Sequence, residues 1–186
     1  MPNTVTIKKR IRPFKKKIIV SGDKSLSIRW VLFSSIANGI SVAENLLISE
    51  DVMAAIESIK KLGIKVKFEK KKCKIFGNGV DGYKYKKNIT LNAKNSGTFG
   101  RLILGLLINS KYSIKLIGDK SLSKRDFKRI SDPLSEFGAN FKLKNNKNLP
   151  LIIKGSSNLK SINYNENKGS AQCKSSVILG ALRSNG

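Results

Sequence analysis

The stretch GDKSLSIRWVLFSSIANG, residues 22–39, opens the first of several similar units and decides how the chain is organised. Its apolar residues cluster at helical spacing, which predicts a helix over Leu26–Asn38 that Gly39 ends. Asp23, Lys24 and Ser25 stand where this helix begins. Free N–H groups and the positive end of the helix dipole attract anions at such a position. The stretch therefore predicts a helix with a candidate anion site at its start.

A strand, a second helix and two further strands complete this first unit. The alternation of residues predicts a strand over Ser41–Ile48, and Ser49 is placed to cap the following helix. Gly63 ends that helix. Strands are then predicted at Ile64–Glu69 and Cys73–Phe76. The unit thus alternates helices with short strands, which indicates a mixed α/β (α+β) protein.

The same order of elements then returns, which is the signature of an internal repeat of roughly 75 residues. We place the units at about 18–88, 89–160 and 161–186, as two full βαβαββ units and a truncated third. A second helix and outer strands are missing from the third unit, so we expect the chain to be a fragment of a longer protein, or one half of a split one. The predicted elements are strands at Ile89–Asn92, Tyr112–Ile117, Asn140–Lys144, Leu151–Lys154 and Ile162–Tyr164, and helices at Thr98–Ile108, Asp126–Phe137 (broken or kinked at Pro133 and ended by Gly138) and Cys173–Leu182.

The charge of the chain raises nucleic acid as a first candidate ligand. The sequence has 37 Lys and Arg against 12 Asp and Glu, a formal net charge of +25. However, the lysines are scattered over every predicted element, and Trp30 is the single tryptophan. No pattern of aromatic and basic residues suggests base stacking. A basic nucleic-acid-binding module is therefore an alternative function that the sequence disfavours.

Other residue counts exclude several kinds of site. The absence of histidine rules out a histidine-dependent triad and a zinc site with histidine ligands. Cys73 and Cys173 form neither a disulfide framework nor a metal-ligand spacing. No apolar run is long enough for a membrane span. Only Gly22 precedes Lys24, so the glycine pattern of a P-loop is missing. We expect a cytoplasmic protein.

Two more phrases resemble the start of the first helix in their chemistry. Asn95-Ser96-Gly97-Thr98 and Ser170-Ala171-Gln172 place small and polar residues where the first helices of the second and third units begin. Ser25, Thr98 and Ser170 could be ordinary helix caps, and Arg101 could serve a structural salt bridge. Three such phrases in register, with Arg29 and Arg101 in the helices that follow, favour one shared anion site.

Five motifs carry a resemblance to a known family: SGDKSLSIR, LLISEDVMAAIESIKKLG, NSGTFGRLILGLL, GDKSLSKRDFKRISDPLSEFGA and GSAQCKSSVILGAL. Over residues 18–183 the chain resembles the enolpyruvyl transferases, and among them the 5-enolpyruvylshikimate-3-phosphate synthase family. The resemblance implies the inside-out α/β barrel of that family. It implies transfer of the enolpyruvyl group of phosphoenolpyruvate to the 5-hydroxyl of shikimate 3-phosphate, with release of phosphate, in the shikimate pathway to chorismate and aromatic amino acids. The resemblance further implies an addition–elimination through a tetrahedral intermediate, with neither a metal nor an organic cofactor.

The resemblance also assigns residues to substrates. It assigns Lys24, Ser25, Arg29, Ser170, Ala171 and Gln172 to shikimate 3-phosphate. It assigns Lys24, Gly97, Arg125 and Gln172 to phosphoenolpyruvate, with Asn95, Thr98 and Arg101 as additional candidates. No catalytic residue is assigned in this portion, because the family's acid–base carboxylate comes from a second domain. We therefore expect a chain that binds substrates but is inactive alone, either monomeric or completed by a C-terminal chain.

Two features qualify this assignment. Asp126 stands where the family usually has proline after the arginine that Arg125 matches, so a carboxylate could compete with substrate for Arg125. The sister enzyme that acts on UDP-N-acetylglucosamine is an alternative, but it generally carries a loop cysteine that residues 110–125 lack. A separate feature is the phrase GDKSLSKR at residues 118–125, which repeats the phrase GDKSLSIR of residues 22–29 by coincidence. In it we expect Lys120 and Ser121 to be ordinary loop residues.

Overall fold

The computed structural model describes residues 4, 6, 8–10, 12–70, 72–167 and 169–184. Within them, helices and short strands alternate as a mixed α/β protein, which confirms the predicted class. In chain order the elements are α1 (Lys24–Ile36), β1 (Asn38–Glu44), α2 (Glu50–Lys61), β2 (Lys65–Glu69), β3 (Lys72–Asn78), β4 (Ile89–Asn92), α3 (Gly97–Leu106), β5 (Ile114–Ile117), α4 (Lys128–Glu136), β6 (Asn140–Lys144), β7 (Asn148–Lys154) and α5 (Ala171–Ala181).

The two sheets repeat one arrangement. The first sheet has the order β1-β3-β2, and both of its pairs are antiparallel. The second sheet has the order β4-β5-β7-β6, in which β5-β7-β6 has the same antiparallel order as the first sheet. In addition, β4 pairs in parallel with β5. Two units of sequence have therefore folded into two sheets with the same strand order, as the internal repeat predicts.

Helix ends follow the glycine pattern at two of three predicted places. Gly63 and Gly138 follow α2 and α4 with φ of +88° and +112°, a left-handed conformation that glycine adopts without a steric penalty. The prediction for Gly39 was wrong. The first helix ends at Ile36, and Gly39 lies inside β1. That strand ends at Glu44 instead of reaching Ile48, because Asn45 has φ of +56° and leaves the extended region.

The third unit has its helix but not its predicted strand. Ile162–Tyr164 forms no strand, although Ile162 and Tyr164 pack half-buried against the hydrophobic core. The segment lacks a ladder with any described strand, so burial without backbone pairing leaves it irregular. The described residues 12–23 likewise form no strand at the start of the first unit. Of the three units, the second alone shows an opening strand within the described chain.

One hydrophobic core joins the units. Its largest fully buried side chains include Phe99, Phe127 and Phe137. Helix α3 packs against α1 on one side and α5 on the other, so the first helices of the three units lie side by side. None of the described helices has the length and hydropathy needed to cross a membrane. This packing places the three helix starts next to one another, so that they can border one cavity.

The predicted cap of α2 provides a test of local structure. Ser49 accepts a hydrogen bond from the N–H of Val52 at 3.4 Å, as a capping serine should. Ser49→Ala is expected to lower the free energy of unfolding by about 1 kcal/mol, because one helical N–H loses its partner. Urea unfolding measures the change. Ser157→Ala, in an exposed loop, is the matched control, and equal losses in both variants would contradict the capping role.

Candidate functional site

The starts of α1, α3 and α5 border one open cavity of about 520 Å³. Two elements outside these helices also contribute, through Asp51 of α2 and Arg125. The cavity brings together seven of the residues proposed from the sequence, from three separate units. The lining residues are Lys24, Ser25, Asp51, Asn95, Ser96, Gly97, Thr98, Arg125 and Gln172.

Side chains other than the expected ones cap two of the three helices. Asp23 accepts from the N–H of Leu26 at 2.7 Å at the start of α1, and Ser96 caps α3 through the N–H of Phe99. Ser25 and Thr98 therefore lie in the first helical turns, and their reading as N-caps was wrong. Ser170 does cap α5, as the alternative reading held. The hydroxyls of Ser25 and Thr98 are thus not used for capping and lie at the cavity.

Lys24 is held in place by a carboxylate. Its Nζ lies 3.0 Å from Oδ2 of Asp51, and the Lys24 side chain is 55% exposed against 15% for Asp51. The pair joins the start of α1 to the first turn of α2. No local sequence pattern indicates this pair, because Lys24 and Asp51 lie far apart in the chain. The partly buried carboxylate restricts the lysine and leaves its ammonium at the cavity.

A chain of hydrogen bonds connects α3 to α5. Arg101 donates from Nη1 to Oε1 of Gln172 at 2.5 Å, and Gln172 donates from Nε2 to Oγ1 of Thr98 at 3.1 Å. Nearby, Arg125 donates from Nη2 to Oδ1 of Asn95 at 3.2 Å. Residues from the second and third units are therefore fixed relative to one another at the cavity wall.

The guanidinium of Arg101 is in an unfavourable electrostatic environment. Burial lowers the pKa of Arg101, and the neighbouring guanidinium groups of Arg129 and Arg125 lower that pKa further. Its Nε is buried and has no hydrogen-bond partner among the described residues. An arginine nevertheless remains protonated, so positive charge is concentrated beside the cavity. An anion in the cavity would relieve the repulsion between these groups.

Four predicted residues lie outside the cavity lining. Arg29 donates to the backbone oxygen of Ser25 at 3.3 Å from the following turn of α1. Ser170 uses its hydroxyl as a cap, and Ala171 is exposed beside Gln172. Arg101 stands behind Gln172. No ion pair of Arg101 occurs within the described part of the chain, so the structure gives no support to its reading as a salt-bridge residue.

Asp126 does not pair with Arg125. Its Oδ1 accepts a hydrogen bond from the N–H of Lys128 at 2.7 Å, at the start of α4. The expected competition between this carboxylate and a bound anion for Arg125 is therefore absent from the described contacts. At the position where the resembled family usually has proline, this chain has an aspartate whose side chain accepts a hydrogen bond from a backbone N–H in the first turn of α4.

Three residues near the site were missed from the sequence: Asp51, Ser96 and Arg129. Ser96 lies in the phrase Asn95-Ser96-Gly97-Thr98, where a serine directly before a helix indicates an N-cap. Arg129 donates from Nε to Sγ of Cys173 at 3.3 Å, a contact between the second and third units that no local pattern indicates. Among the residues described, no group of three or more Cys, Asp or Glu side chains is placed to hold a metal ion.

Gly97 leaves little space for a side chain at the cavity. A Cβ at this position would lie 3.1 Å from Nη1 of both Arg101 and Arg125. Gly97→Ala is expected to displace both guanidinium groups by a few tenths of an ångström and to weaken binding of inorganic phosphate by about threefold to tenfold. Calorimetric titration measures the affinity. Thermal unfolding should hardly change, because flexible side-chain ends can move aside, and unaltered phosphate affinity would contradict this geometry.

Known proteins resemble this chain in sequence and in fold. A family model described as EPSP synthase (3-phosphoshikimate 1-carboxyvinyltransferase) matches residues 8–186. The 3-phosphoshikimate 1-carboxyvinyltransferase of Leuconostoc mesenteroides is 38% identical over 170 residues, which are 91% of this chain and 39% of that protein. The enzyme of the same name from Caldicellulosiruptor bescii is 40% identical over 176 residues, 94% of this chain and 40% of that protein.

The fold agrees with a solved structure of the same kind. An EPSP synthase structure from Acinetobacter baumannii superposes with a TM-score of 0.86 at 36% sequence identity, over 93% of this chain and 39% of that one. The present chain thus spans about two fifths of the length of the relatives it matches. The matching residues include all the helix starts that border the cavity. The chain belongs to the EPSP synthase (3-phosphoshikimate 1-carboxyvinyltransferase) family.

Proposed function

We propose that this chain provides the shikimate 3-phosphate site, and part of the phosphoenolpyruvate site, of an enolpyruvyl transferase. The reaction transfers the enolpyruvyl group to the 5-hydroxyl of shikimate 3-phosphate and releases phosphate. One observation carries the proposal: a single cavity gathers Lys24, Ser25, Gly97, Arg125 and Gln172 from three units of the chain. The family resemblance assigns each of these five residues to one or both of the two substrates.

The chemistry of the cavity suits two anionic substrates. Lys24 and Arg125 supply positive charge, and Ser25, Thr98 and Gln172 supply neutral polar groups. The starts of α1, α3 and α5 add backbone dipoles of the same sign. Phosphate and carboxylate groups that repel each other in water can lie together where such donors face them. In this proposal the chain's contribution is to bind and align the two substrates.

The proton transfers of addition and elimination need an acid–base group. The lining of the described cavity contains few side chains that could act as one. Asp51 is the single carboxylate in its lining, and it is committed to Lys24 at 3.0 Å. This pairing assigns the carboxylate to holding the lysine in position. In this proposal the 186-residue chain binds shikimate 3-phosphate without catalysing turnover by itself.

Calorimetric titration and a phosphate-release assay test the two parts separately. Shikimate 3-phosphate is expected to bind at one site, with UDP-N-acetylglucosamine and a DNA oligonucleotide as comparison ligands. When both substrates are supplied, release of phosphate from phosphoenolpyruvate is expected with a full-length relative and not with this chain. Preferential binding of UDP-N-acetylglucosamine or DNA would overturn the proposed substrate, and steady turnover by the purified chain would overturn the proposed inactivity.

The proposed reaction belongs in the cytoplasm, where phosphorylated metabolites are free in solution. The two cysteines support a reducing location, because Cys73 and Cys173 are both buried and neither forms a disulfide. Fractionation of the producing cells measures this directly. Recovery of the chain in a membrane or extracellular fraction would contradict the assignment.

A further inference from the structure

We propose that Arg101 is a positioning residue, which orients the side-chain amide of Gln172 so that hydrogen-bond donors face the anion in the cavity. The inference rests on the proposed function, because it concerns how the same cavity recognises a phosphorylated ligand. It assigns a role to a residue that stands behind the cavity wall and does not line it.

The chemistry of guanidinium fixes which way the amide points. Arginine has donors and no acceptor, so only the oxygen of Gln172 can face Nη1 of Arg101. Turning the amide over would set two donors against each other. The nitrogen of Gln172 must then point toward Thr98, which is where the structure has it. Arg101 therefore decides the orientation of an amide that either substrate could otherwise turn.

The direction of donation continues through Thr98. Its Oγ1 accepts from Nε2 of Gln172, so the hydroxyl proton of Thr98 is free to be donated elsewhere. Gln172 keeps a second N–H on the same nitrogen. Both residues line the cavity. A carboxylate or phosphate oxygen there would meet an amide N–H and a hydroxyl O–H, each polarised by the bond behind it.

Packing holds Arg101 in the position that this role requires. Its guanidinium lies over the ring of Phe127, with the carbon 5.5 Å from the ring centre. The backbone oxygen of Arg101 accepts a hydrogen bond from Ser176 of α5 at 2.9 Å. The residue is thus attached to the same helix that carries Gln172. With Nη1 engaged by Gln172, Arg101 acts on a ligand through that amide.

The test measures ligand-free geometry and affinity in the same variants of the full chain. In NMR spectra, the side-chain amide protons of Gln172 should show contacts to the methyl group of Thr98. Arg101→Met is expected to abolish those contacts and to weaken binding of shikimate 3-phosphate by about tenfold. Arg101→Lys keeps a donor and the positive charge, so it is expected to retain most of the Gln172–Thr98 contacts and most of the affinity for shikimate 3-phosphate. Retained contacts and affinity in Arg101→Met would overturn the proposal.

Two further variants keep the test decisive if Arg101→Met does not fold. Gln172→Glu retains an acceptor for Arg101 but has no N–H for Thr98 or the ligand, and is expected to lose affinity while remaining folded. Thr98→Val removes the oxygen that accepts from the amide of Gln172, and it is expected to weaken binding of shikimate 3-phosphate while the chain remains folded. Normal affinity of Gln172→Glu would overturn the proposed donor direction. If the unaltered chain fails to bind shikimate 3-phosphate, the proposed function falls, whereas the NMR contacts still judge the role of Arg101.

Discussion

Lys24→Ala is expected to weaken binding of shikimate 3-phosphate by about 100-fold, a larger loss than the removal of one exposed lysine normally gives. The substitution removes an ammonium group from the cavity. It also leaves the carboxylate of Asp51, which the structure pairs with Lys24 at 3.0 Å, without its partner. That carboxylate would then repel the incoming phosphate. Loss of attraction and new repulsion act in the same direction.

The chain contains its own control for this experiment. Lys120 follows an aspartate and precedes Ser-Leu-Ser, as Lys24 does, but it is exposed in a turn and is not part of the cavity. Lys120→Ala removes the same charge, and its Kd for shikimate 3-phosphate is expected to stay within about twofold of the unaltered value. Equal losses in the two variants would mean that overall charge, and not the cavity, controls binding.

A second substitution separates the two contributions of Lys24. Adding Asp51→Asn to Lys24→Ala removes the unpaired carboxylate, so the double variant is expected to recover about tenfold of the lost affinity. Calorimetry at one fixed salt concentration measures both steps. A double variant that binds no better than Lys24→Ala would show that Asp51 does not influence the anion.

The largest expected effect on stability comes from Gly105→Ala near the C-terminal end of α3. A Cβ there would lie 2.1 Å from the backbone oxygen of Ser176 in α5, so the two helices could not remain at their present distance. The gain in helix propensity of about 1 kcal/mol cannot offset this overlap with backbone. We expect the free energy of unfolding to fall by about 3 kcal/mol, as for a severely overpacked core.

Gly100→Ala provides the comparison on the same helix. Its Cβ would lie 3.3 Å from Cβ of Ala93 and 3.4 Å from Cζ of Phe127, which small side-chain shifts can accommodate. Its stability is expected to change by under about 1 kcal/mol. Urea unfolding of both variants measures the difference. Because α3 and α5 carry Thr98 and Gln172, Gly105→Ala should also weaken phosphate binding, and similar stabilities for both variants would contradict the close helix contact.

Local sequence signals predicted most of the fold. The strand at Asn140–Lys144, the cap at Ser49 and the helix ends at Gly63 and Gly138 all depend on nearby residues, and the structure has them. The strand at Ile162–Tyr164 depended on pairing with another part of the chain. Apolar residues at that position indicate burial, but they do not reveal whether a partner strand lies alongside. Local patterns therefore failed where backbone pairing at long range decides the structure.

In the candidate site, too, local features could be predicted from the sequence and long-range pairs could not. Repeated helix starts indicated where Ser25, Thr98 and Gln172 would lie, because the dipole and free N–H groups of a helix are local properties. The pairing of Lys24 with Asp51 and the bond from Arg101 to Gln172 join distant parts of the chain. They could be found only after folding had placed α2 beside α1 and α5 beside α3. Repetition predicted which helix starts would be grouped together, and tertiary packing determined which groups are paired at the cavity they border.

An NMR titration of the chain with shikimate 3-phosphate tests most directly whether the three helix starts form one binding site. The account predicts that the backbone amide signals of Ser25, Gly97, Thr98 and Gln172 shift together, with a single Kd and saturation at one ligand per chain. Signals of exposed lysines outside the cavity, such as Lys120, should remain unchanged. Shifts spread over exposed lysines without saturation, or shifts confined to one helix start, would contradict a shared site.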